Sequence, residues 1–164
     1  MNTGQMLLTL GALVILSTVV LSMNRTYLND EKDTLKTEIG ITAVSLATSL
    51  IQEAGGKAFD EKSDTTSLTV TDSLTAANKL GPEAGETRAT FDDFDDYNNL
   101  DTTISYPNTG QFHIHSTVFY TNPAKPDSNY NTKSWFKKIV VKVSSPSMTD
   151  TITMGYVFSY FYYR

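Results

Sequence analysis

The chain has 164 residues, 13 Lys and Arg against 18 Asp and Glu, a net charge of −5 and no cysteine. It is long enough for one domain of ordinary size, and it excludes disulfides, zinc–thiolate sites and thiol catalysis outright. The charge balance argues against a nucleic-acid partner, which needs a clustered positive surface.

Charge is unevenly placed along the chain. Residues 1–23 carry none, residues 24–64 carry 5 basic and 8 acidic side chains, residues 65–110 carry 2 and 8, and residues 111–164 carry 6 and 2. The acidic middle of one copy could therefore face the basic end of another. The first element, "QMLLTLGALVILSTVVLSMNR", covers residues 5–25. From Met6 to Met23 a helix would run ~27 Å at roughly 1.5 Å per residue, close to a hydrocarbon core of about 30 Å. A removed secretory signal carries Lys or Arg before its apolar run and small residues at the cut. "MNTG" is uncharged and "VLSMNR" is not such a site, so the segment is expected to be retained. Arg25 would by itself keep the following residues in the cytoplasm. However, Asp30, Glu31 and Asp33 follow at once, and a Thr-rich domain without cysteine suits export.

Beyond Asn24 the helical pattern continues. Leu28, Leu35, Ile39, Ala43, Leu46 and Leu50 form one stripe of an amphipathic helix. Gly55-Gly56 is the stop signal, and Gly40 is a weak point costing about 1 kcal/mol against Ala. The expectation is one helix over residues 5–54, ~75 Å long. The alternative is a span and a separate helix, broken between Asn24 and Asn29, where Asn, Thr and Asp are mediocre helix formers.

The remainder reads as β-rich. "TTSLTVTDS" (65–73) is a short alternating run, and "TDSLTAANKLGPE" suggests one or two helical turns capped by Asp72 or Ser73 and stopped at Gly81-Pro82. Residues 110–121 alternate cleanly, with Phe112, Ile114, Val118 and Tyr120 on one face and His113, His115 and Thr117 on the other. "SWFKKIVVKVSS" places Ile139, Val141 and Val143 opposite Lys138 and Lys142. "DTITMGYVFSYFYY" places Ile152, Met154, Tyr156, Phe158 and Tyr160 together. Pro- and Asn-rich clusters separate these runs, which suggests an antiparallel meander. Its apolar face needs a cover, and Leu35, Ile39, Ala43, Leu46 and Leu50 supply the available stripe. The C-terminal half of the helix is expected to lie on the sheet and the N-terminal half to project.

A bare apolar rod is comfortable in a bilayer or in a bundle of identical rods. Met6, Leu7, Leu8, Leu10, Gly11, Ala12, Leu13, Val14, Ile15, Leu16, Val19, Val20 and Leu21 would form the filament core in the second case. Gly11 and Ala12, with Thr9, Ser17, Thr18 and Ser22, permit close helix approach. Any membrane anchor also contains such residues.

Other constellations are weighed against bland readings. Asp92, Asp93, Asp95 and Asp96, with Asp101, are oxygen donors of the kind calcium takes. Their spacing is not that of a Ca²⁺ loop, so a solvated acidic loop is preferred, complementing Lys137, Lys138 and Lys142 in the same or a neighbouring subunit. His113 and His115 are two ligands without a third and read as surface histidines. The five aromatics after Val157 read as a core strand, with some burial between subunits because both faces are aromatic. No phosphate loop, nucleophile elbow or triad occurs, so no enzyme and no cofactor is expected.

A short leader ending in Gly4, an apolar helix directly after it, its continuation to about residue 54 and a C-terminal antiparallel sheet resemble the type IV pilins and pseudopilins. "FDDFDDYNNL" (91–100) and "WFKKIVVKVSSPSMTDTITM" are similar to local stretches of that family. The resemblance covers most of the chain by pattern. It implies an α+β, pilin-like fold: a leader-like residue 1–4 segment, an apolar helix half over 5–28, an amphipathic half over 29–56 and a β-rich head over 57–164. It further implies a subunit stored in the inner membrane, handled by a pilus assembly machinery and packed with copies of itself into an extracellular helical filament. The chain departs from the family in having no Lys or Arg before Gly4 and in placing Thr9 where the family carries an acidic residue. The competing reading is a monomeric, membrane-anchored extracytoplasmic binding or sensor domain.

Overall fold

A computed structural model describes residues 2–64 and 66–163, with the side chains of Asp64 and Tyr163 left aside. The protein is α+β. Helix α1 runs unbroken over Thr3–Gly55, so no break occurs between Asn24 and Asn29. A one-turn helix α2 (Glu61–Asp64) follows. The sheet has five strands: β1 (Asp101–Tyr106), β2 (Gly110–Asn122), β3 (Lys125–Tyr130), β4 (Phe136–Ser144) and β5 (Ile152–Ser159).

The chain divides into two compact units between Glu38 and Ile39. In the first unit every described residue, 2 to 38, is exposed. The boundary lies ten residues beyond the expected one. Leu35 falls in the first unit and is 49% exposed. The run Asp30, Glu31, Lys32, Asp33, Lys36 and Glu38 surrounds it with charge that would be costly to desolvate.

In the second unit, the buried stripe of α1 is Ile39, Ala43, Ala47, Leu50 and Ala54, spaced 4, 4, 3 and 4 as one helix face requires. Leu46 is only partly buried beside it. The three alanines are fully covered. The facing core is the inward set of β2, β4 and β5: Phe112, Ile114, Val118, Tyr120, Ile139, Val141, Val143 and Phe158. Thr48 reaches the Met154 sulfur at 3.9 Å across the same interface.

The sheet is antiparallel in the order β1-β2-β4-β5. The long strand β2 organises it. On one edge it pairs with β4 from His113↔Ser144 to Tyr120↔Lys137. On the other edge it pairs with β1 over Asp101↔His115 to Tyr106↔Gly110, and near its end with β3, where the register shifts between Tyr120 and Asn122. β3 is an edge strand, which suits Pro126 within it because no ladder hydrogen is required there. The three strong strands are where alternation places them. β1 and β3 lack apolar alternation, with burial patterns dominated by exposed positions, and neither is foreseeable from the pattern.

Two expectations are corrected. Residues 66–70 form no strand, and Thr71–Ser73 and Ala77–Lys79 are single 3-10 turns; Thr65 lies outside the described residues. The final aromatics also do not continue β5. The chain turns at Tyr160 into a 3-10 turn, anchored by the Tyr160 N–H donating to the Trp135 carbonyl at 3.0 Å. Tyr160 is buried and stacks on Trp135 at 4.7 Å, while Phe161 and Tyr162 are exposed.

Candidate functional site

The first unit presents one chemical feature. Twelve large apolar side chains between Met6 and Met23 are 47–75% exposed, and no charge interrupts them. The helix is long and apolar enough to cross a membrane by length and composition. Three of its hydroxyls are satisfied along the same helix. Thr9 donates to the Met6 carbonyl at 2.9 Å, Ser17 to Leu13 at 2.8 Å and Thr18 to Ile15 at 2.8 Å. Such back-bonding removes the cost of placing a hydroxyl where no water can reach it. All thirteen residues expected to make a filament core, from Met6 to Leu21, are exposed.

The second unit holds a polar centre inside its core. The sequence reading makes Lys137, with Lys138 and Lys142, a complement to the acidic stretch in the same or a neighbouring subunit, and Lys137 meets Asp95 of that stretch within the chain. The structure buries Lys137 completely. Its parity along β4 matches Ile139, Val141 and Val143, so alternation itself was the signal. The ammonium donates to the Phe59 carbonyl at 2.6 Å, to Asp60 Oδ2 at 3.0 Å and to Asp95 Oδ1. It also lies over the Phe59 ring at 4.7 Å and the Tyr120 ring at 5.5 Å. All three ammonium hydrogens are used, which is what a desolvated lysine requires. Lys138 is paired within the chain to the exposed Asp127, and Lys142 is exposed.

Asp60 is the organiser of this centre and was absent from the sequence-level candidates. It follows the helix-stopping glycines and is fully buried. Besides Lys137, its carboxylate accepts the Thr75 N–H at 3.0 Å, the Thr75 hydroxyl at 3.1 Å and the Lys62 N–H at 3.3 Å. Tyr120 donates to the Thr75 carbonyl at 2.8 Å, closing the shell. Burial alone would raise the Asp60 carboxyl, but the Lys137 ammonium and these N–H donors outweigh it and hold the pKa below its ordinary value.

The acidic stretch is not a solvated loop. Asp93, Asp95 and Asp96 are each 1% exposed, and only Asp92 of the four lies at the surface. Phe91, Phe94 and Tyr97 pull the segment into the core, with Phe94 against Phe158 at 4.9 Å and Phe91 against Tyr97 at 5.3 Å. The carboxylates then cap the turn they sit on. Asp93 Oδ1 accepts the N–H groups of Asp95 and Asp96 at 2.7 and 3.1 Å. Asp96 Oδ2 accepts those of Asp92 and Asp93 at 3.0 and 3.1 Å. Asp93 Oδ2 and Asp96 Oδ1 are buried without a hydrogen-bond partner.

Burial, with the Asp95 charge adding to it, pushes the Asp93 carboxyl up to about 9. Burial likewise raises Asp95 and Asp96, against the pull of Lys137 on the first and of the Asp93 and Asp92 N–H groups on the second. The arrangement is a buried structural knot in which one ammonium, Lys137, serves the carboxylates of Asp60 and Asp95. It ties the segment after α1, the acidic turn and β4 together. Glu53 extends the knot to the end of α1, accepting from the Tyr97 hydroxyl and from Arg88, both at 2.9 Å.

The remaining candidates fall elsewhere. His113 meets Asp101 at 2.7 Å and His115 meets it at 3.8 Å, on the exposed face of β1 and β2. Among the described residues, the three-carboxylate group that comes together is Glu83, Glu86 and Asp96, with ligand atoms within 4.8 Å of one another. Asp92, Asp93 and Asp95 are not part of it. No protein-family model, curated protein or solved structure matches this chain.

Proposed function

We propose that the chain is a structural subunit of an extracellular filament of type IV pilus kind, membrane-inserted before assembly and polymerised through the apolar part of α1. The observation that carries this reading is the exposure of every described residue from 2 to 38, twelve of them large and apolar between Met6 and Met23. Water does not tolerate such a surface on an isolated chain. Burying twelve side chains, each worth about 1.5–3 kcal/mol when fully covered, is a driving force for association far above what one helix pair in solution needs. A bilayer covers the same surface before assembly at similar cost, so transfer between the two is a balanced exchange.

Further support comes from the α+β head, with its amphipathic helix segment against an antiparallel sheet, and from the small residues Gly11 and Ala12 within the apolar run. The chain's own chemistry in the head is consistent with a building block: its buried ionisable groups are spent on one another and on backbone N–H groups. The partners on this reading are copies of the same chain, the inner membrane and an assembly machinery, with no cofactor and no catalysis.

The test is fractionation of cells expressing the chain, with detergent-free shearing of surface material followed by negative-stain microscopy and immunodetection. Sheared filaments containing the chain are expected. Strict retention of the chain in the membrane fraction, with no filament under assembly-competent conditions, would replace this reading by the monomeric anchored binding or sensor domain.

A further inference from the structure

The capped acidic turn leaves two carboxylate oxygens without a partner, Asp93 Oδ2 and Asp96 Oδ1, and of the two residues Asp96 is the one that meets further carboxylates. Asp96 is 1% exposed, its Oδ2 takes two backbone N–H groups, and its Oδ1 has no partner. The same carboxylate converges with those of Glu83 and Glu86. Glu83 and Glu86 sit on a reverse turn closed in both directions. The Glu86 N–H donates to the Glu83 carbonyl and the Glu83 N–H to Glu86 Oε2, each at 3.1 Å. Gly85, at φ +98, takes the left-handed conformation this turn needs.

No ion pair among the described residues neutralises the group. Arg88 is engaged by Glu53, Lys57 by the Phe91 carbonyl and Lys137 by Asp60 and Asp95.

We propose that Glu83, Glu86 and Asp96 form a calcium-binding site that clamps the Glu83–Glu86 turn onto the buried acidic segment. The donor set is all oxygen and all anionic, which selects hard cations over zinc or copper. Calcium takes oxygens at about 2.3–2.6 Å, so donors across its shell stand up to about 5 Å apart, which accommodates this group. Magnesium requires about 2.0–2.1 Å and near-ideal octahedral geometry, a tighter cluster than a turn and a buried side chain readily make. Three protein carboxylates leave positions for water, the pattern of extracellular sites with dissociation constants of about 10⁻⁴–10⁻³ M. The ion supplies the missing partner of Asp96 Oδ1 and cancels the repulsion at Glu83. This site differs from the Asp92, Asp93, Asp95 and Asp96 set considered from sequence, because two of those carboxylates face Lys137 and the turn backbone instead.

The experiment uses the full chain in detergent, stripped with EGTA and titrated with CaCl₂ by calorimetry, with thermal melting in parallel. Its readout does not involve assembly, so its failure leaves the filament reading untouched. Wild type is expected to bind one Ca²⁺ in the stated range and to melt higher with the ion. Glu83→Gln removes one ligand from an exposed position. It is expected to weaken binding about tenfold, on the scale of losing one ligating group, while melting in EGTA at or above the wild-type temperature. Glu86→Gln in the same background should abolish binding, and Asp127→Asn, remote in the sequence and exposed, should leave it unchanged. Absence of heat and of any melting shift in millimolar Ca²⁺ overturns the proposal. So does a Glu83→Gln variant that binds as wild type, or Mg²⁺ bound as tightly as Ca²⁺.

Discussion

Replacing Lys137 by methionine keeps the length and apolar bulk of the side chain and removes only the ammonium. The structure lets the consequence be worked out. Three donors vanish: those to the Phe59 carbonyl, Asp60 Oδ2 and Asp95 Oδ1. Hydrogen bonds from a charged donor are worth about 1.5–3 kcal/mol each, but the dominant loss is the counter-charge of a buried carboxylate. Removing one partner of a buried pair costs about 3–5 kcal/mol. The total stability of a domain is about 5–15 kcal/mol, so the head should lose about a fifth of it or more. At roughly 4 °C per kcal/mol for a domain of this size, the melting temperature should drop by about 12–20 °C. Circular dichroism melts of full-length protein in detergent, alongside Lys138→Met, give the comparison. Lys138 pairs with an aspartate whose side chain is 90% exposed, a contact worth at most about 1 kcal/mol. If the two variants melt within a few degrees of each other, the buried-knot account is wrong and Lys137 is available to solvent or to another subunit.

Three further outcomes are expected. Asp93 has a folded-state pKa raised to about 9, so its contribution to stability is full below the unfolded value of about 3.9 and is lost as pH rises through the folded one. Asp93→Asn mimics the protonated state, so urea-unfolding free energies should fall less steeply than wild type between about pH 5 and pH 9, by up to about 1.4 kcal/mol per pH unit; parallel profiles would refute the assignment. Leu50→Ala should destabilise the head by about 2–5 kcal/mol in the same melts, because Leu50 is 2% exposed in the helix–sheet core. Leu35→Ala should change stability by no more than about 0.5 kcal/mol; equal losses would restore Leu35 to the packed stripe. Leu13→Lys puts a charge in the middle of the apolar run and costs about 3–4 kcal/mol for residence in a bilayer. Surface filaments should disappear on sheared-fraction microscopy while the melting temperature of the head stays at the wild-type value, and persisting filaments would argue against the apolar run as the contact surface.

Local pattern alone determined much of this protein. The eighteen uncharged residues from Met6 to Met23, continued by a 3–4 spacing as far as Gly55-Gly56, are sufficient for the long helix because hydrogen bonding and side-chain period are both local. Period-2 alternation likewise marked β2, β4 and β5, since side chains on a strand must face opposite sides whatever lies next to them. What alternation could not say is which partner would make a polar residue welcome inside. Lys137 and the three aspartates of the acidic turn read as surface charge because an isolated charge does not survive burial. The fold brings Asp60 and Asp95 to the same lysine from 77 and 42 residues away along the chain, and only that meeting makes burial tolerable. The same holds for the alanines at 47 and 54, whereas Ala43 was already legible in the helical stripe. Small residues carry little hydropathic signal, and their place in the core was decided by what the fold lays over that helix face.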